Sequence, residues 1–397
     1  MNFGHGFIPR LDARTAAGVD RAVGNPGQPT LDGALLDLPA VIAEASWAGQ
    51  RPDVLAHLRA GGTTILVDTQ GWRYRYPSTL STEKFRRLPH APVSPLVEPD
   101  DIRAFVRADL HHQVRLGATA LLVPGFLPRG VGDDVAPLTE LAVEAALDVL
   151  GELPPLPLVA FLGAHAVELD KLVSSAERVH GAVSALYVQV TPVNPLLDSP
   201  SKLLALLDAL RECEAQRFPV IAGHLGAITP LLRAFGITAA DAGLGEGERF
   251  SAAERIRPAR PPRDREREGW RGPRIYARQL GRSLDARVWR ALLDVPEIRG
   301  RMRCTDPCCR FRTLDTTLSR AVEHSLHGRV GDAREASSLA TLMRFDTLAD
   351  RLERQRSLLN LCNAALMQLG ERPIDGAFAD NHLATVQRGR RLLGLSA

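Results

Sequence analysis

Short apolar runs alternate with amphipathic stretches through the middle of the chain. Six runs read as buried strands: TTILVD (63–68), ATALLVPGF (118–126), LPLVAFLGA (156–164), ALYVQVTP (185–192), FPVIAGHLG (218–226) and GITAADAGLG (236–245). Between them, 100–117, 138–153, 168–181 and 199–216 carry apolar residues at helical spacing, and each begins near an Asp, Ser or Thr suited to capping a helix. Buried strands alternating with helices predict a parallel α/β architecture. Two forms fit the pattern, a closed eight-fold barrel and an open doubly wound sheet. No G-x-G-x-x-G follows the first strand, which disfavours a dinucleotide fold. Asp68, His165, Asn194, His224 and Asp241 all fall at or just past strand C-termini. A (β/α)8 TIM barrel gathers such residues on one rim, so the barrel is the expected fold.

Past the last strand the pattern breaks. Residues 246–275 are rich in Arg, Pro and Gly. One reading is a solvated loop. The other is a loop whose arginines (249, 255, 257, 260, 263, 265, 267 and 271) contact the phosphates of a polynucleotide. Beyond 330 the chain turns helical, as a C-terminal segment packed on the barrel.

Three of the five cysteines, Cys304, Cys308 and Cys309, lie within six residues, and His324 and His327 follow. Two or three thiolates on a short loop with a histidine from a following helix suit tetrahedral zinc. Cys304, Cys308, Cys309 and His324 are the preferred ligands, with Asp306 and His327 in reserve. The cluster is remote in sequence from the strand-end carboxylates, so a structural zinc is expected. The organisation then reads as a catalytic barrel over 1–300, a zinc-binding subdomain over 301–345 and a helical segment over 346–397. Cys213 and Cys362 sit in helical contexts and read as core thiols.

The 397 residues are 45% apolar, enough for a large core, and the net charge of +3 does not by itself announce a nucleic-acid partner. The N-terminus lacks a signal-peptide core, and no run approaches the roughly 20 apolar residues that span a bilayer. A cytoplasmic protein without a membrane partner is expected, and a homodimer is compatible with the sequence.

Three separated stretches resemble the tRNA-guanine transglycosylases, zinc-containing (β/α)8 barrels that exchange a guanine in nucleic acid for a 7-deazaguanine. DTQGW (68–72) stands where that family has Asp-Ser-Gly-Gly-aromatic. IAGHLGAITPLLRAFGITAADAG (221–243) follows its strand, G-x-G-T-P turn, helix and G-V-D-x-F-D layout. CTDPCC (304–309) and HSL (324–326) are similar to its C-x-C-P-x-C and H-N-L. The resemblance covers roughly 60–345. It implies Asp241 as nucleophile, Asp68 as acid/base, Trp72 beside Gly71 as the face on which a base stacks, and Gly223 and His224 as pocket lining. The family reads its base with an Asp and a Gln where this chain has LLVPGF (121–126) and FLGAHA (161–166), so both readers are missing. His165, Gln189 and Asn194 are the nearby candidates to replace them. The expected function is base exchange on tRNA or DNA, the divergence leaving the DNA-modifying branch open. The competing readings are a zinc-containing barrel that binds nucleic acid without catalysis and a barrel hydrolase on a small substrate.

Overall fold

The computed structural model describes residues 3–4, 6–24, 36–244, 249–256, 274–304, 309 and 314–395. Eight parallel strands form one sheet: β1 (Phe7–Leu11), β2 (Ala40–Glu44), β3 (Thr64–Asp68), β4 (Leu121–Leu122), β5 (Leu158–His165), β6 (Ala185–Thr191), β7 (Val220–Ala222) and β8 (Ala239–Ala242). The spatial order is β3-β2-β1-β8-β7-β6-β5-β4. The ends of that order meet. The N–H groups of Thr119 and Ala120 donate to Ile65 O at 3.0 and 3.3 Å, and Ile65 N–H donates to Thr119 Oγ1 at 2.7 Å. The sheet is therefore a barrel, as the polar strand ends predict.

Two strands escaped the sequence pattern. FIPRL and AVIAE become β1 and β2, fully buried but for the half-buried Glu44. β1 carries Pro9 and Arg10, both poor strand signals. β4 is far shorter than its apolar run, since Pro124 cannot donate to the ladder. It is held from the side instead. Gln113, on a helix, donates to Leu122 O at 2.6 Å and accepts from Leu122 N–H at 2.9 Å.

Seven helices cross between successive strands: α1 (Ala16–Val23), α2 (Pro52–Ala60), α3 (Pro99–Arg115), α4 (Ala136–Val149), α5 (Asp170–Arg178), α6 (Pro200–Ala215) and α7 (Thr229–Ala234). The capping expectation holds in part. Among the four predicted helices two have an Asp or Ser side chain on a first-turn N–H: Asp134 Oδ1 accepts from Ala136 N–H at 3.0 Å at α4, and Ser199 Oγ accepts from Lys202 N–H at 3.3 Å at α6. Helices α3, α4 and α6 also open with a proline in the first turn, where its missing N–H costs nothing.

The eighth wall position is filled late. α8 (Ala321–Ser338) packs between α1 and α7 and against β1. Between β8 and α8 the described residues form an excursion that includes an antiparallel hairpin, β9 (Arg274–Ala277) and β10 (Arg282–Asp285). Buried Asp332 of α8 pins it: Tyr276 Oη donates to Asp332 at 2.5 Å, Arg278 Nε at 2.7 Å, and Arg351 forms an ion pair at 2.7 Å. Arg351 lies on α9 (Thr341–Gln368), which with α10 (Ala377–Leu392) covers α6, α7 and the hairpin. Among the described residues no helix is long and apolar enough to cross a membrane.

Replacing Gln113 with Leu should expose how much β4 leans on that side chain. It strands a buried N–H and C=O of Leu122, each worth about 1–3 kcal/mol unpaired. The melting temperature should fall clearly, and an unchanged one would show that β4 is held by its neighbours alone.

Candidate active site

Side chains alternate across a strand, so every second residue of each barrel strand faces inward. Four inward residues meet near the C-terminal rim: Arg10 of β1, Asp68 of β3, Tyr187 of β6 and Asp241 of β8. Arg10 is the hub. Its Nη1 donates to Asp241 Oδ2 at 2.8 Å and to Tyr187 Oη at 3.0 Å, and its Nη2 donates to Asp68 Oδ2. Asp241 Oδ1 accepts from Tyr187 Oη at 3.2 Å and from the His224 N–H at 2.7 Å, while Asp68 Oδ1 accepts from the Gln70 N–H at 2.7 Å. The two carboxylates singled out by sequence are thus brought together, on one arginine that sequence reasoning missed. The available signal was an arginine inside an otherwise apolar run.

Asp241 is fully buried. Burial pushes its carboxyl above the usual range, against the pull of Arg10 and the His224 N–H, and the Asp68 charge adds to the rise. Burial also opposes the charge on Arg10, but Tyr187, Asp241 and Asp68 outweigh it and hold the guanidinium above its ordinary value. Gly223 makes the arrangement feasible, because a Cβ there would stand 2.7 Å from Tyr187 Oη.

The other expected site residues lie around this centre. His224 has φ 60°, a left-handed conformation uncommon outside glycine, and its ring stacks on Phe250 at 4.5 Å between centroids and 9° between planes. Burial, then the charges of Arg10, Arg255 and Arg73, depress its pKa well below the usual value, so the imidazole is neutral. Trp72 is buried; Arg73 lies over its ring at 4.9 Å and Phe250 meets it edge-on at 6.0 Å. Gly71 packs on Pro124 and Phe105. Gln189 follows Tyr187 on the inward side of β6, buried, with Nε2 lacking a hydrogen bond. His165 ends β5 with Nδ1 likewise unpartnered. Asn194 is committed to its own loop: its N–H donates to Asp198 at 2.8 Å and its Oδ1 accepts from Leu196 N–H at 3.3 Å.

Phe250 belongs to a strap, 249–256, laid across the barrel mouth. Val193 and Phe250 exchange backbone hydrogen bonds at 2.9 Å, Ala252 N–H donates to Thr191 Oγ1 at 2.9 Å, and Arg73 and Ser78 donate to the carbonyls of Arg255 and Ile256 at 3.0 Å. Of the arginine-rich segment, Arg249 pairs with Glu254 and Arg255 lies over the Phe250 ring at 5.2 Å; residues 257–273 are outside the described residues. Arg73 is pushed down to about 10 by burial and by the Arg255 charge. A groove of about 740 Å³ flanks the strap, lined by Arg14, Lys84, Arg87 and Arg255 together with Asp12, Glu44 and Glu83.

No protein-family model matches this chain, and no curated protein matches it in sequence. Solved structures align at low similarity. A glycerol uptake operon antiterminator-related protein from Thermotoga maritima is 13% identical over 60% of this chain and 94% of its own, with a TM-score of 0.31. The homocysteine methyltransferase MmuM from Escherichia coli gives 14%, 60%, 90% and 0.32. A D-psicose 3-epimerase from Clostridium cellulolyticum gives 12%, 64%, 89% and 0.34. Likeness at this level carries no argument about chemistry, and the barrel assignment rests on the strand pairing itself.

The metal cluster stands apart, on the excursion and α8. Ligand atoms of Cys304, Cys309 and His324 all lie within 4.8 Å of one another, with Cys309 Sγ 3.0 Å from His324 Nδ1. His324 Nε2 is 2.9 Å from the Tyr276 carbonyl, the second hydrogen bond that fixes a ligating imidazole and aims Nδ1 at the sulfurs. Two thiolates and an imidazole are a zinc-like donor set. Cys308 and Asp306 lie outside the described residues, and His327 is not in this group.

Two outcomes follow. Arg10→Met leaves two buried carboxylates without their cation, which should cost about 3–5 kcal/mol near neutral pH. An acid whose pKa is higher folded than unfolded destabilises the fold as pH rises through that interval. Asp241 is already raised, and losing Arg10 raises it further, so denaturant melts should show the variant recovering stability in mild acid. A deficit independent of pH would contradict the bridge. Metal analysis should find one zinc per chain, lost together with several degrees of melting temperature in a Cys304→Ala, Cys309→Ala double variant, because structural-site binding is part of the folding free energy.

Proposed function

We propose that this protein is a base-exchanging transglycosylase, replacing a guanine in tRNA or DNA with a 7-deazaguanine. The observation that carries the reading is the meeting of Asp68 and Asp241, from distant strands, on one arginine inside the rim of a barrel. Two carboxylates in one site suit glycosyl transfer through a covalent intermediate. Asp241 forms a bond to the sugar C1′ as the C1′–N9 bond to guanine breaks. Asp68 gives its proton to N9 of the departing guanine; N9 of the incoming base then bonds to C1′ as the Asp241–C1′ bond breaks, and Asp68 takes the N9 proton. Tyr187 donates to Asp241 and fixes its orientation. Arg10 donates to both carboxylates and holds them in one site. Arg73 and Arg255, close enough to repel, place positive charge at the mouth beside the groove, which suits a phosphate backbone. Gln189 and His165, with unpartnered polar atoms at the ends of β6 and β5, are the residues suited to read the base edge. Zinc at Cys304, Cys309 and His324 is structural in this reading.

One observation favours a second reading. Both oxygens of Asp241 are occupied, and the residue has no exposed surface. The bridge then serves only to tie strands together, in a barrel that binds nucleic acid without catalysis.

The two readings separate on one assay. Wild-type protein should incorporate labelled guanine into tRNA or DNA and form a covalent adduct, both abolished in Asp241→Asn. If Asp241→Asn exchanges base as well as the wild type, the nucleophile assignment is wrong; if no polynucleotide supports exchange, the structural reading stands.

A further inference from the structure

The strap does more than cover the mouth. The Phe250 ring is 1% exposed and is gripped on three sides: His224 flat against it, Trp72 at its edge and the Arg255 guanidinium over it. An aromatic or guanidinium plane on each side of a flat ring is how proteins hold an unstacked base. His224 is also the residue whose backbone N–H holds Asp241, so the stacked ring lies one residue from the candidate nucleophile. Its left-handed backbone is the kind of local strain that persists where neighbours over-determine it, often at ligand sites. Trp72, by contrast, has a face taken by Arg73 and meets the Phe250 ring at 80°, not in a stack.

We propose that the space filled by Phe250 is the binding slot for a planar heteroaromatic ring, that His224 is its stacking platform, and that Phe250 is an intramolecular plug the ligand displaces when the strap lifts. In the closed arrangement Asp241 is fully buried, so any substrate reaching it requires its cover to move, and Phe250, stacked on the residue whose N–H holds Asp241, is the part of that cover carried on the strap. Among the described residues the strap's hydrogen bonds to the barrel are the Val193–Phe250 backbone pair, Ala252 N–H to Thr191 Oγ1, and the two carbonyl contacts from Arg73 and Ser78. The identity of the ring as a purine-like base rests on the base-exchange reading; the existence of the slot does not.

Two arms on the full chain test it. Without ligand, diethyl pyrocarbonate modification mapped by mass spectrometry should find His224, half-buried under Phe250, only slowly modified in the wild type. His224 should react faster in Phe250→Ala and, by a smaller factor, in Thr191→Val, which removes one strap tie while leaving the stack intact. Equal reactivity of His224 in the wild type and both variants would overturn the plug. With ligand, equilibrium dialysis of labelled guanine and 7-deazaguanine should show Phe250→Ala binding about 10-fold more tightly than wild type, the scale of one stacking contact. Adding His224→Asn, which tolerates the left-handed backbone and keeps its N–H, should cancel that gain. A Phe250→Ala protein that folds, exposes His224 and binds neither base overturns the slot. Should Phe250→Ala fail to fold, Thr191→Val carries the dialysis arm, with the same direction expected and no gain overturning the slot. Base binding that behaves as stated, with no exchange on any polynucleotide, leaves the slot in place and removes the transglycosylase reading.

Discussion

The centre of the molecule depends on one guanidinium between two carboxylates. Asp241 is buried and Asp68 nearly so. A buried carboxylate without a partner is costly, and two near each other are more so, since burial and mutual repulsion both favour protonation. Arg10 offsets part of that cost and in doing so ties β1, β3 and, through Tyr187, β6 to β8. Surrounding features serve the same arrangement. Gly223 leaves room for the tyrosine hydroxyl, and the backbones of His224 and Gln70, both at positive φ, turn their N–H groups onto the carboxylates.

A second buried charge cluster does for the periphery what Arg10 does for the centre. Asp332 draws Tyr276, Arg278 and Arg351 onto α8, so that the hairpin, the eighth wall helix and the long α9 share one anchor. His324 sits on the same α8 and accepts its orientation from the Tyr276 carbonyl. The Cys-Cys-His cluster thus joins the excursion to the barrel wall and lies away from the Arg10 bridge, in keeping with a structural role for a metal there.

Much of the fold was legible because barrel strands are apolar on both faces and so read as continuous runs. Asp68 and Asp241 stood out as carboxylates ending such runs. Cys304, Cys308, Cys309 and His324 stood out by spacing; the structure brings three of them together, Cys308 lying outside the described residues. β1 and β2 were not legible. FIPRL carries a proline and an arginine, which only make sense once Arg10 has its two carboxylates. The capping signals held at α4 and α6 and failed at α3 and α5. Asp and Ser near a helix start are compatible with capping, but a proline in the first turn sets the start without them.

The sequence by itself determined the alternation of strand and helix, the two rim carboxylates and the metal-like cluster, because each depends on residue type and local spacing. The tertiary structure decided how these combine. Whether Asp68 and Asp241 share a site depends on strand order and on Arg10, contributed from 58 residues before one and 231 before the other. Which aromatic presents a stacking face depends on what covers it, and Phe250 chose His224 over Trp72 by laying its ring flat on one and edge-on to the other. Contacts of that range are set by how the barrel closes and how the strap folds back over it, and no local pattern encodes them.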